Sequence, residues 1–396
     1  YCGGPPMLKK IGLIIAIGLS LSTSVFGMEA KTAEPSNGRY QSCLLQGIQK
    51  SFNLDEDGAD ALLRKAAELE PDNPMAYALQ AMLHLFAYEM CFTLEQRRKE
   101  KEAIFFYTGE ALARGEKRLF ANPRDSQVYF AVALAKIARV HWAISEKRYL
   151  VMAQETFNVW NSLEAAKSAD PANYDADYLT GFLRYTIDHF RGVTGWLSSL
   201  LITQGNRQKG LQELQAAAQK GILMRDMAQI QLAGIYLAYE KQPARSLAII
   251  EPLRKKYPDN YSFHFMQGLA LMELRRFAEA QAVAEEIRER ISAGKPPYVR
   301  ELEPRYFLLA GRIAQKKKEY DRAGAFYQKA MADSSFYNVR TAARALLYLG
   351  TLADLRRDRK TALEYYNRVA NMQGVDAGAR LEAQRYGKSP YRENGE

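Results

Sequence analysis

The chain has little of what most enzymes and most cross-linked domains depend on. Its 396 residues include 3 cysteines, 4 histidines and 3 tryptophans. His84, His141, His189 and His264 stand far apart, with no HExxH pair, no His-x3-His spacing and no paired cysteine ligands, so no zinc-type site is legible. No phosphate loop ending in GKS or GKT occurs. GNRQKG (205–210) is framed by glycines but does not follow a strand, and reads as a helix-entry turn. Strand-type alternation is equally scarce. Ala, Leu, Glu, Gln, Lys and Arg dominate instead, and with 47% hydrophobic and 25% charged residues they describe a globular, mostly helical chain.

Long apolar runs are missing except at one place. Met7 opens MLKKIGLIIAIGLSLSTSVFG, in which Lys9 and Lys10 precede an apolar run and small residues lead to Gly27. This predicts a bacterial-style secretory signal cleaved after Gly27 and, in a two-membrane bacterium, a periplasmic protein that spans no membrane after cleavage. The alternative is an uncleaved anchor in the inner membrane, for which the run 11–26 is short of the ~20 residues that cross a bilayer. No cysteine follows the run, which argues against a lipid anchor. Residues 1–6 read as an upstream extension, and 28–39 as a linker.

What the chain does have is a period. Gly234 and Gly268 are 34 residues apart, each followed at offset 12 by a small residue (Ser246, Ala280) and at 16 and 19 by apolar ones. Gly311 with Tyr320, Ala323, Tyr327 and Ala330 extends the series, as do Gly350 with Ala362, Tyr366 and Val369, and Gly47 with Ala59, Leu63 and Ala66. The proline clusters LEPDNP (69–74), NPRD (122–125), DPAN (170–173) and YPDN (257–260) each end one unit and begin the next. Units are expected to begin near Tyr40, Pro74, Ser126, Tyr174, Met227, Tyr261, Pro304 and Ala343. The second to fourth exceed the 34-residue period, and a plain helical bundle remains open for 74–226.

These spacings resemble the tetratricopeptide repeat (TPR) family over roughly residues 40–376. The resemblance implies an all-α fold, an α-solenoid of about eight stacked helix-turn-helix units forming a right-handed superhelix. Residues 40–226 would be degenerate repeats with an apolar insertion at 191–206, residues 227–376 regular ones, and 377–396 a polar tail. Under this geometry Cys43 and Cys91 lie about 20 Å apart, so two buried thiols are expected rather than a disulfide.

In TPR proteins the first helix of each unit lines the concave face. That places Tyr178, Phe182, Tyr185, Gln231, Ile235, Tyr239, Phe265, Leu269 and Met272 along an inner surface, which is either an apolar partner-binding groove or simply packed core. It departs from the cationic, asparagine-lined clamp by which some relatives hold acidic tails. Trp196, within RGVTGWLSSLLITQGN (191–206), is a further partner-binding candidate or a self-docked one. With 55 basic against 45 acidic residues, basic clusters recur where first helices turn into second ones. Arg275, Arg276, Lys316, Lys317, Lys318, Arg356 and Arg357 would share one edge, available to an anionic surface or merely solvated. Nucleic acid is excluded as a partner by the lack of a recognition module in an exported chain.

The composition and the resemblance together imply a non-enzymatic scaffold for protein or peptide partners in the cell envelope, without metal or cofactor. One alternative rests on 63–89, loosely similar to the TPR-like periplasmic subunit associated with some TRAP transporters; this implies an apolar ligand or a solute receptor as partner. Another is a helical enzyme acting on an envelope polymer. Its only candidate constellation is Asp175, Asp177 and Asp188 beside Tyr174, Tyr178, Phe182 and Tyr185.

Overall fold

In the computed structural model, residues 36–189, 205–333, 335, 337–375 and 377–392 are described, and they are all-helical. Seventeen α-helices follow in order. They are α1 (Ser36–Phe52), α2 (Glu56–Leu69), α3 (Pro74–Met90), α4 (Leu94–Ala121), α5 (Ser126–Ser145), α6 (Tyr149–Ala169), α7 (Tyr174–His189), α8 (Arg207–Lys220), α9 (Arg225–Ala238), α10 (Pro243–Lys256), α11 (Tyr261–Glu273), α12 (Phe277–Ala293), α13 (Glu303–Lys316), α14 (Tyr320–Ala332), α15 (Val339–Leu355), α16 (Arg359–Asn371) and α17 (Ala377–Lys388). Helices α1–α8 and α11–α16 pack as seven consecutive pairs, in the manner of stacked TPR-like repeats. The signal-like segment, residues 28–35 of the expected linker and residues 191–204 of the insertion, with Trp196, lie outside the described residues, while 36–39 already belong to α1.

The period has a physical cause visible within the pairs. At Gly311 an added Cβ would lie 2.5 Å from the Tyr327 ring, and at Gly350 it would lie 2.4 Å from Tyr366. The aromatic at offset 16 therefore lies on the glycine of its own first helix. Each ring is pinned at its far end: Tyr327 Oη donates to Gln315 Oε1 at 2.7 Å, and Tyr366 Oη to Asp354 Oδ2 at 2.8 Å. Leu63 does the same to Gly47 at 2.9 Å. The small residues at offset 12, Ala59, Ala323 and Ala362, have no exposed surface.

Between units, the proline clusters supply N-caps. Asn73, Asp125 and Asn173 accept hydrogen bonds from Met75, Val128 and Ala176 N–H at 3.1 Å each. Within units, the turn after the first helix reverses through a left-handed residue: Leu54, Lys147, Lys241, Arg275, Lys318 or Arg357. A backbone bond from the next residue closes each of five such turns, as in Glu319 N–H to Ala314 C=O at 2.9 Å.

The chain divides into two compact units, residues 1–240 with 252–260, and residues 241–251 with 261–396. In the first unit the stack returns on itself. Asn53 Nδ2 donates to Asp259 Oδ2 at 3.0 Å, Asp259 N–H donates back to Asn53 Oδ1 at 3.3 Å, and Asn260 Nδ2 donates to the Phe52 carbonyl at 2.8 Å. Behind this seam the Phe52 and Tyr257 rings meet edge to face at 6.0 Å. Helix α5 is long and apolar enough to cross a membrane by length and composition, but it is largely buried here as a core helix.

The polar tail expected after residue 377 is corrected in the second unit. Helix α17 buries Ala379 and Ala383 against α16 and so covers the apolar face the last repeat would otherwise expose. Arg359 then donates to the carbonyls of Tyr386 and Gly387 at 2.7 Å, and Asp354 accepts from Tyr391 N–H at 2.8 Å. Cys43 and Cys91 are buried and unpaired, and burial pushes the Cys91 thiol up to about 11.

Two predictions follow from the packing. Gly311→Ala and Gly350→Ala force a methyl into a pinned ring and are expected to destabilise by about 1–3 kcal/mol, whereas Gly234→Ala, whose Cβ meets nothing within 4 Å, should gain up to about 1 kcal/mol of helix propensity. Urea midpoints of the three variants check this, and equal losses at all three would refute the ring-on-glycine account. The second concerns His141, buried in α5, whose imidazole is held down to about 3 by desolvation. A base with a lowered folded pKa stabilises nothing by protonation, so stability is lost as pH falls below about 6.5, at roughly 1.4 kcal/mol per pH unit. Compared with wild type, His141→Phe should show a shallower fall in urea midpoint between pH 7 and pH 5.

Candidate binding cleft

The first unit holds an apolar cleft of about 370 Å³ including its open mouth. Its walls come from the inner faces of four first helices: Gly47, Ile48, Ser51 and Phe52 of α1, Leu79, Met82, Leu83 and Phe86 of α3, Leu134 of α5, and Met227 of α9. Leu63 of α2 and Met224 complete it. Ser51 carries the one polar side chain in this lining. The cleft exists because the seam brings α1 beside α9, although they are far apart in sequence. That space counts the open mouth as well as the recess, and the apolar lining rather than the size is what marks the cleft.

One carboxylate sets the α9 side of the cleft. Asp175 Oδ1 is buried and accepts three backbone N–H groups, from Ile222, Leu223 and Met224, at 2.9, 3.0 and 2.9 Å. It thereby shapes the turn that presents Met224. Asp177 pairs with Lys167 at 2.7 Å, and Asp188 accepts the Arg207 N–H at 3.0 Å as α8 begins. The three carboxylates of the polymer-enzyme reading thus hold three separate structural positions. The histidines are equally dispersed. His84 meets Glu100 at 2.7 Å, His189 stacks on Tyr185 and His264 meets Tyr298 Oη at 2.6 Å. Among the described residues no three His, Cys, Asp or Glu side chains converge as a metal site.

The residues proposed from sequence as a groove are not brought together in this cleft. Tyr178, Phe182, Tyr185 and Ile235 are buried in the first unit, and Tyr185 Oη donates to Glu240 Oε1 at 2.6 Å. That corresponds to the packed-core alternative for these four. Tyr239 is half-buried against His189. In the second unit Met272 is fully buried, while Phe265 and Leu269 are half-buried. Trp196 lies outside the described residues.

The basic edge residues do gather at the turns of the second unit, but they alternate with acids. Arg276 pairs with Glu279 at 2.5 Å, Lys317 with Glu319 at 2.6 Å, Lys316 with Glu273 at 3.6 Å and Arg356 with Asp321 at 2.6 Å. Arg275, Lys318 and Arg357 are the left-handed turn residues, exposed and without an ion-pair partner among the described residues. GNRQKG is a helix entry: Asn206 caps α8 by accepting from Lys209 N–H at 2.9 Å.

The cleft residues Ile48, Phe52, Met82 and Phe86 had no place in the sequence-based groove. For Met82 and Phe86 the signal was available in α3, which is apolar on nearly every side and so has more than one face to bury.

No protein-family model and no curated protein matches the chain. Several solved structures are similar to it, two of which follow. A tetratricopeptide repeat protein from Parabacteroides merdae ATCC 43184 is 17% identical, with 78% of this chain and 99% of that one covered and a TM-score of 0.32. The TPR domain of P58(IPK) is 14% identical, with 89% and 99% covered and a TM-score of 0.21. Both likenesses are distant, and the paired-helix architecture rests on the packing described above.

Proposed function

We propose that the chain is an exported, non-catalytic scaffold that binds a protein or peptide of the cell envelope and receives its bulky apolar side chains in the cleft of α1, α3, α5 and α9. The observation that carries this reading is the cleft itself: inner helices of four repeats converge on one apolar space whose lining has a single polar side chain. Burying a Leu or Phe there is worth about 1.5–3 kcal/mol, and specificity would come from shape. The export component rests on the sequence Met7–Gly27, and an uncleaved inner-membrane anchor is its variant.

A second reading takes support from the same lining. A cleft with only Ser51 to anchor a polar group also suits a small apolar ligand, as an accessory of a solute-transport system would hold.

A benzophenone amino acid placed at Phe86, half-buried at the cleft, tests both. Irradiation in envelope extract is expected to give one discrete protein adduct. Adducts of small molecules alone would favour the ligand reading, and no adduct of either kind would overturn the assignment of the cleft as a binding site.

A further inference from the structure

Helix α13 carries two arginines on one face, Arg305 and Arg312, about two turns apart. Each lies over a tyrosine ring of the following unit. The Arg312 guanidinium stands 5.6 Å from the centroid of Tyr348, and that of Arg305 stands 4.8 Å from the centroid of Tyr337, just before α15. The likeness ends at their acids. Arg312 pairs with Glu273 of α11 at 3.1 Å, and Arg344 of α15 pairs with Glu382 of α17 at 2.8 Å. Arg305 has neither an ion pair nor a hydrogen bond among the described residues.

The acids of the neighbourhood are placed elsewhere. Helix α13 has none after Glu303, and α15 none before Asp354. Glu303 is turned to Arg300 at 3.9 Å, Glu286 meets Arg290 at 3.1 Å, and Asp354 is held by Arg359 at 3.0 Å. Asp333 accepts from Asn338 Nδ2 at 2.7 Å and from Ser335 N–H at 2.8 Å. Glu301 is exposed and meets this region through its carbonyl, which accepts from Asn338 Nδ2 at 3.0 Å. The titratable groups that bear on Arg305 are the phenols of Tyr337 and Tyr261. Those that bear on Tyr261 are Tyr337, Tyr298 and Arg305 itself. One cation thus stands among phenols, with no carboxylate acting on it.

Arg305 is half-buried, so its guanidinium has given up part of its hydration, and a cation so placed is normally answered by an acid. Tyr337 answers it only with a ring. That contact steadies the planar group while its N–H fork stays uncommitted, which is the arrangement that takes two oxygens of one anion side by side. Behind Tyr261 the Tyr298 ring closes edge to face at 6.2 Å, and both tyrosines are buried. Water is kept from that side, and an ionic contact made there is strengthened.

We propose that Arg305 anchors an oxyanion-binding site at the start of α13, where its N–H fork receives two oxygens of a phosphate or carboxylate group carried by a ligand. The site belongs to the second unit and is independent of the cleft. It also differs from the basic turn residues, which lie at the other ends of the first helices and several of which already have acidic partners.

Reactivity at the residue itself tests this. Phenylglyoxal adds to guanidinium groups, and mass spectrometry of the folded wild-type chain gives the rate at Arg305 separately from that at Arg124, exposed in the first unit. Inorganic phosphate or acetate, with ionic strength held constant by chloride, should slow modification of Arg305 saturably, about tenfold at ten times its Kd. Arg124 should be unaffected. The anion that protects at the lower concentration distinguishes a phosphate ligand from a carboxylate one.

Two variants give a second readout. The protecting anion should raise the urea midpoint of wild type above the chloride control, and the gain should vanish in Arg305→Met, which keeps the apolar stem. Arg305→Lys, which keeps the charge and loses the fork, should retain only part of it. No protection of Arg305 by either anion, or equal protection of Arg124, overturns the proposal. So does a midpoint gain that persists undiminished in Arg305→Met, because the anion would then be acting elsewhere.

Discussion

The contact between a second-helix side chain and the bare backbone of its own first helix is what the repeats depend on. A helix pair has little core of its own, and stability comes from stacking one pair on the next. Stacking requires each pair to be thin, and a ring lying on glycine achieves this at Gly311 and Gly350. The hydroxyls of Tyr327 and Tyr366 are then bonded to Gln315 and Asp354, so the ring is fixed along its length and the buried polar end is satisfied. Aliphatic Leu63 makes the same contact with Gly47, whereas Gly234, sixteen residues before Ile250, has no such neighbour and stands in open space. The same period is thus maintained by more than one kind of packing.

Closure of the first unit adds a constraint that no single pair contains. The seam is polar at its rim, through Asn53, Asp259 and Asn260, and aromatic behind it, through Phe52 and Tyr257. Its effect is to make neighbours of α1 and α9, which the chain separates by seven helices. Apolar faces that an open stack would show to water instead enclose the cleft. Asp175 acts in the same sense from the other side, since three N–H groups on one carboxylate oxygen hold the Met224 turn in place.

How much of this was legible in the sequence depends on whether a feature is local. The proline clusters and caps are local, and the starts expected at Pro74, Ser126, Tyr174 and Tyr261 coincide with helix starts. Helix α17 was missed because its buried residues, Ala379 and Ala383, are small and sparse; only the apolar face of α16 beneath it explains why this polar segment folds. The cleft was missed because its walls meet only through the seam, a contact between residues about 200 positions apart. The Tyr178, Phe182 and Tyr185 stripe looked functional because aromatic residues on an inner helix can face a ligand or a neighbouring helix, and here all three are buried.

The turns separate features with a local cause from features without one. Five of the six left-handed turn residues are Lys or Arg, a conformation that costs an L-residue about 1–2 kcal/mol. A cation there follows the carbonyl end of a first helix, and the favourable dipole interaction offsets part of that cost. Charged tips therefore have a reason in helix chemistry and need no partner to account for them. Leu94 and Leu150 stand at the opposite kind of terminus, the start of a second helix, where neither capping nor the dipole asks for a leucine, and both are largely exposed. Their exposure therefore has no cause in helix-end chemistry of the kind the cations have.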